Sequence, residues 1–176
     1  MHPKTEIGVD PQAIKRILAN GWWGQIKIHG HRAQIHIAAD PKVLIQVYTR
    51  QGKSHARSLS PLMAKELRRL FAPAKDWSVI EAEWLKSADR LYLFDFIKRE
   101  GVFLDQLSYD ERWHLLPRDY ISPVIETLPI LRTVEACLAV LDNPAVEVEG
   151  LVFKSSRSPG FSDSSIIRCR KKDRRT

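Results

Sequence analysis

Lys27-Ile28-His29-Gly30-His31-Arg32-Ala33-Gln34-Ile35-His36-Ile37 sets a lysine and a glycine between two runs that alternate apolar and polar residues. Alternation with period two marks a half-buried strand. Ile26 and Ile28 before the glycine, and Ala33, Ile35 and Ile37 after it, therefore predict two strands broken at Gly30. A third run, Val43, Ile45 and Val47, follows the break at Asp40-Pro41. The three are expected to be strands of one antiparallel sheet. A lysine beside a tight turn can be presented as a nucleophile, and Arg32 close by would favour its neutral form.

Working outward, residues 11 to 19 have a short helical pattern, with Pro11 in the first turn, Ile14, Ile17 and Leu18 on one face, and Asn20-Gly21 as the stop. Ser60-Pro61 opens a helix with Met63, Leu67, Leu70 and Phe71 on one side, ended by Pro73. Strands are predicted at Val79 to Leu85 and Leu91 to Ile97. Ser108-Tyr109-Asp110-Glu111 reads as a capping box for a short helix that Pro117 ends. Residues 118 to 130 read as an irregular connection in which Val124 and Ile125 form a brief strand. Leu131, Val134, Leu138 and Leu141 make a helical stripe ended by Asp142-Asn143-Pro144. Two last strands, Val146 to Lys154 and Ser165 to Lys171, flank the turn-rich Ser155 to Ser164. Antiparallel strands with interspersed helices indicate an α+β fold.

A chain of 176 residues, 44% of them hydrophobic, is long enough for one sizeable core and short for two ordinary domains. One domain is expected over residues 1–172, with 173–176 as a basic tail. The 28 Lys and Arg against 21 Asp and Glu leave +7, an excess that suits a polyanionic partner such as nucleic acid or a nucleotide phosphate tail. Cys137 and Cys169 lack ligand-like spacing with His, so neither structural zinc nor a disulfide framework is expected. Lys4, Glu6, Asp10, Lys15 and Arg16 interrupt any signal-peptide core, and no apolar run reaches membrane-spanning length. A monomeric, cytoplasmic protein away from membranes is the expectation.

Five segments stand at predicted strand ends, in order: Lys27 to Arg32, Thr49-Arg50-Gln51-Gly52-Lys53, Ile80-Glu81-Ala82-Glu83, Leu91-Tyr92-Leu93-Phe94-Asp95, and Glu149-Gly150-Leu151-Val152-Phe153-Lys154. The cationic strand Ile167-Arg168-Cys169-Arg170 follows them. Together they resemble the covalent nucleotidyltransferase superfamily, most closely the adenylation domain of ATP-dependent DNA ligases, across roughly residues 20 to 172. The family's lysine motif is commonly followed by an Arg-Ala-Gln-Ile-His run like Arg32 to His36, and Glu149 to Lys154 is close to its Glu-Gly-x-Val-x-Lys motif. The resemblance implies an ATP-grasp-like nucleotidyltransferase core in which antiparallel sheets with flanking helices enclose a nucleotide cleft.

By that resemblance Lys27 attacks the α-phosphate of ATP and forms a lysyl-AMP, with Mg2+ or Mn2+ as the divalent metal. Arg32, Lys154, Arg168 and Arg170 correspond to cations that favour the neutral lysine and offset charge developing at phosphorus. Phe94 matches the ring that stacks on adenine. Gln25 stands near the adenine edge, where Glu is common in the family. Glu83 matches the carboxylate that holds the ribose hydroxyls, and Glu149 the one that positions the metal. Arg50 matches an arginine that meets the 5′-phosphate of nicked DNA, a task suited to a bidentate guanidinium.

The sequence departs from the family pattern in several places. His29 replaces the usual Asp of the DNA-ligase lysine motif, and Lys-x-His-Gly is similar instead to one branch of RNA ligases. Glu81 and Ala82 stand where the family prefers Asp and Gly. Arg168 and Arg170 replace two lysines that follow an aromatic residue. The resemblance leads to the expectation of no oligonucleotide-binding barrel, the domain that usually follows, with a partner protein as one source of it. Two further readings therefore stay open: an RNA ligase, and a catalytically weakened nucleic-acid-binding module that needs a partner.

Overall fold

The computed structural model describes residues 7–157 and 166–171. The basic tail at 173–176 and most of the turn-rich segment before the last strand lie outside the described residues. The chain divides into two compact units, one made of residues up to His29 and from Pro129 onward, the other of Gly30–Leu128.

The first unit is built on a four-stranded sheet. Its elements are β1 (Ile7–Gly8), a 3-10 turn (Pro11–Ala13), α1 (Ile14–Ala19), β2 (Trp22–Ile28), α4 (Val134–Asp142), β9 (Val148–Ser155) and β10 (Ile166–Arg170). The strand order is β1-β10-β9-β2, antiparallel except for the parallel pair β1 and β10. One face carries Gly24, Leu151, Phe153 and Cys169, and the last three are fully buried. Helix α1 supplies Ile14 and Ile17 to this core and α4 supplies Cys137 and Val140. Gly24 is required where the helix packs closest, because a Cβ there would stand 3.2 Å from Cys137 Sγ and 3.3 Å from a ring carbon of Phe153.

The second unit holds a larger sheet with β3 (His31–Ala38), β4 (Gln46–Tyr48), β5 (Trp77–Leu85), β6 (Arg90–Arg99), β7 (Val102–Phe103) and β8 (Ile125–Thr127). The order is β4-β3-β5-β6-β7, with β8 added parallel to β6. Period two in the sequence is realised directly in β3: Ala33, Ile35 and Ile37 are fully buried, and Arg32, Gln34 and His36 occupy the other face. Helix α2 (Pro61–Phe71) starts where Ser60 accepts a hydrogen bond from the Met63 amide and Pro61 needs no donor of its own. Met63, Leu67 and Phe71, spaced by four, form its buried stripe. Helix α3 (Tyr109–His114) has the predicted capping box, with Ser108 and Glu111 bonded reciprocally. The fold is α+β with antiparallel sheets, as expected from the sequence.

Three sequence expectations are corrected. The strands before and after Gly30 do not pair: β2 takes β9 as its partner, and β3 takes β4 and β5. Gly30 is needed for a close approach instead, since a Cβ there would lie 2.9 Å from the Trp84 carbonyl oxygen. The third run forms a strand only at Gln46–Tyr48. Finally, Leu131 does not begin the last helix. Its backbone exchanges hydrogen bonds of 2.8 and 3.0 Å with Gly24, so α4 starts at Val134 behind the Thr133 cap and buries Cys137 and Val140, leaving Leu138 40% exposed.

Candidate functional site

The nucleophile candidate lies in the sheet of the first unit. Lys27 of β2 is opposite Gly150 of β9, which is opposite Arg170 of β10; one step along the sheet, Gln25, Val152 and Arg168 form a second row, and Trp23 is paired with Lys154. Directly opposed residues share a sheet face. Lys27, Gln25, Lys154, Arg168 and Arg170, brought together from three strands, therefore lie on the face opposite the apolar core. Gly150 separates Lys27 from Arg170 with φ of +147°, and a Cβ there would stand 2.8 Å from the Arg170 Cα and closer still to the Cys169 carbonyl oxygen. Only glycine fits that row.

Glu149 reaches this face through an irregularity. The register slips between Lys27 and Ile28, which pair with Gly150 and Val148, so Glu149 is the extra residue of a bulge. Bulges re-aim a side chain. Here the carboxylate meets Lys27 Nζ at 2.6 Å through Oε2 and His29 Nδ1 at 2.7 Å through Oε1, with Arg170 at 3.9 Å. Partial burial would raise the Glu149 carboxyl, but the hydrogen bonds from Lys27 and His29 and their charge hold it below its ordinary value. The face thus carries four cationic side chains, Lys27, Lys154, Arg168 and Arg170, of which Lys27 and Arg170 stand beside the Glu149 carboxylate.

The second unit presents the other predicted residues. On the polar face of β3 and β5, Arg32 Nε donates to Glu81 Oε2 at 2.6 Å and Gln34 Nε2 donates to Glu81 Oε1 at 2.9 Å. His36 Nε2 lies 2.9 Å from Gln34 Oε1, and because that amide oxygen accepts, the imidazole donates. Glu83 is opposite Arg32 on one side and Tyr92 on the other. Burial opposes the charge on Arg32, yet Glu81, Glu83 and Asp95 raise its pKa above the ordinary value. Its guanidinium stands 4.7 Å from the centre of the Phe94 ring, which is only 9% exposed. A base stacking on Phe94 would compete with Arg32 for that area.

Phe94 is itself the extra residue of a bulge in β6, since Glu81 pairs with Asp95 and Ala82 with Leu93. Helix α3 fixes it: Tyr109 donates to the Phe94 carbonyl at 3.1 Å, and Arg112 grips Asp95 through Nε at 2.9 Å and Nη2 at 3.2 Å. Arg50 lies on an exposed turn after β4, closed by backbone hydrogen bonds among Thr49, Gly52 and Lys53.

Sequence reading missed three supports. Glu81, met only as a departure from Asp, is the hub of the Arg32 and Gln34 contacts; the two-residue spacing from Glu83 was its available signal. His29 is the second partner of Glu149, and no local pattern announces a contact across 120 residues. Arg112 follows the capping box by one residue, and its match to Asp95 required the fold.

Among the described residues no group of three or more His, Cys, Asp or Glu side chains could hold a metal ion. Glu149 is the carboxylate on the Lys27 face, which fits a hard cation that keeps several waters and takes its other ligands from phosphate, and does not fit a cage made by protein. Among the described residues no helix is long and apolar enough to cross a membrane.

No protein-family model matches the chain. No curated protein matches it either. Solved structures do. The ligase domain of M. tuberculosis LigD superposes with a TM-score of 0.63 at 16% identity, covering 97% of this chain and 60% of that one. A mycobacterial DNA ligase D complexed with ATP and MES gives 0.57 at 16% identity, with 85% and 54% covered. Pmar-Lig_PreS3 gives 0.63 at 16%, with 94% and 46% covered. The chain spans about half the length of the solved chains it matches. Its two units thus have the fold seen in the ligase domain of LigD.

Proposed function

We propose that the protein is an ATP-dependent nucleotidyltransferase of the DNA-ligase type, with Lys27 as the AMP acceptor. The observation that carries this reading is the sheet face that Lys27 shares with Lys154, Arg168 and Arg170 and on which it is paired with Glu149. Such a concentration of positive charge suits a triphosphate and offsets the charge that develops when the α-phosphorus is attacked.

Lys27 Nζ, released from Glu149 and having given its ammonium proton to solvent, donates its lone pair to the α-phosphorus and passes a second N–H proton to solvent as the phosphoramidate forms. The bond from that phosphorus to the bridging oxygen breaks and pyrophosphate leaves. AMP then passes from Lys27 to a 5′-phosphate, and a 3′-hydroxyl displaces AMP to close the nick. Mg2+ or Mn2+, when bound by Glu149 and phosphate oxygens, supplies further charge neutralisation. Gln25 serves the adenine edge, Phe94 the adenine face, Glu83 the ribose hydroxyls, Arg32 the nucleotide phosphates and Arg50 the nick phosphate.

Radiolabelled ATP with a divalent metal, followed by a denaturing gel, tests the first step: wild type takes the label and Lys27→Ala does not. Equal labelling of both overturns the assignment. His29 favours a second reading, an RNA strand at the nick, because it engages Glu149 where the DNA-ligase pattern would place a second carboxylate. Transfer of AMP across nicked duplexes with DNA or RNA on each side separates the two substrates.

A further inference from the structure

The end of the larger sheet that carries Arg50 is more extensive than that arginine. β3 begins at His31 opposite Trp84, β5 ends at Leu85 opposite Arg90, and β4 ends at Tyr48 opposite Gln34. The turn after β4 and the turn between β5 and β6 therefore emerge at the same end. From Thr49 to Arg57 the chain has three cations, Arg50, Lys53 and Arg57, all exposed, and no carboxylate. The β5–β6 turn adds Lys86, with Asp89 as its one acidic residue, 3.7 Å from Arg57.

This segment is fastened down. Ser54 bridges Tyr48, and the His55 amide donates to the Val47 carbonyl at 2.9 Å. His55 Nε2 lies 2.9 Å from the Arg32 carbonyl oxygen, an atom that only accepts, so this nitrogen carries the proton. Arg57 Nη1 donates to the Lys86 carbonyl at 2.8 Å, which joins the two turns. Beneath them Trp84 is fully buried, with His55 at 5.4 Å, Arg57 at 5.9 Å and Lys86 at 5.2 Å from its ring. The indole serves as a floor and offers no exposed ring to a base. Single-strand binders depend on exposed stacking rings, and this end sets cations on a fastened backbone with no such ring from Trp84, which favours the backbone of a duplex.

We propose that Arg50, Lys53, Arg57 and Lys86 form a phosphate-tracking surface for duplex DNA, with His55 as the positioning residue that ties it to the strand of Arg32. The inference rests on the polynucleotide reading of the protein. Fluorescence anisotropy of the full chain on a labelled nicked duplex, across a salt series, tests it with K53Q/K86Q beside K65Q/K75Q, which removes two exposed charges elsewhere on the same unit. Each lost phosphate contact lowers the slope of log K against log salt by about 0.9. K53Q/K86Q is expected to flatten it by about 1.8, so that wild type loses about twelvefold more affinity than the variant between about 50 and 200 mM salt. K65Q/K75Q keeps the wild-type slope.

Equal slopes for the two double variants, tighter binding to the single strand than to the duplex, or no duplex binding by wild type each overturn the surface. His55→Ala should weaken duplex binding with its melting temperature monitored alongside, and His55→Gln, which can still donate to the Arg32 carbonyl, should restore it; failure of rescue in a folded variant removes His55 from the proposal. Labelling of Lys27 by ATP is read separately. A labelled protein with an unchanged slope refutes the surface alone, and an unlabelled protein with a flattened slope refutes nucleotidyl transfer alone.

Discussion

Glu149 Oε2 stands 2.6 Å from Lys27 Nζ, and its other oxygen is taken by His29 at 2.7 Å. The carboxylate is held below its ordinary pKa by those two bonds against the opposing effect of burial. A depressed carboxyl contributes stability that is fully present above its unfolded value, about 4.3, and is lost as pH falls through the lower folded value. Urea midpoints of wild type and Glu149→Gln should therefore differ by a constant amount at neutral pH and converge below about pH 4. A difference that grows with acid would contradict the pairing.

Arg112 and Asp95 form a buried bidentate pair under Phe94. Removing the cation leaves a buried carboxylate without it, a loss of about 3–5 kcal/mol. Arg112→Ala should show that loss in chemical denaturation. Arg112→Lys, unable to donate along two parallel bonds, should recover only part of it.

Gly150→Ala should destabilise the first unit by about 1–3 kcal/mol or more, because the new methyl group meets β10 backbone and the residue would keep a positive φ. Gly8→Ala, where a Cβ meets nothing within 4 Å, is the control and should change stability little. Equal melting temperatures for the two variants would show that the row through Lys27, Gly150 and Arg170 is not closely packed.

Burial pushes the Cys137 thiol up to about 11 and raises Cys169 as well. Both thiols should react slowly with a disulfide reagent at pH 8 in the native protein and rapidly in denaturant, since the thiolate is the attacking form. Fast native labelling of either would place it outside the core.

The sequence was most legible where a signal is local. Ser60-Pro61 and the Ser108–Glu111 box fix helix starts because a side-chain oxygen meets an amide three residues away. Strand and helix periodicities gave the α+β fold, and the order of short motifs gave the candidates Lys27, Lys154, Arg168 and Arg170, which do share one sheet face. Leu131 was less legible: its apolar character suits a helix stripe, but its backbone is claimed by Gly24 from far along the chain.

By itself the sequence determined which faces of the strands are apolar, where the helices behind Ser60 and Ser108 begin, and that Lys154, Arg168 and Arg170 accompany Lys27. Tertiary structure alone decided that β2 leaves β3 for β9, that bulges put Glu149 beside Lys27 and Phe94 under Arg32, and that Arg112 clamps Asp95. The reason is physical. Period two specifies a face but not a partner, and a one-residue slip in register moves a side chain to the opposite face.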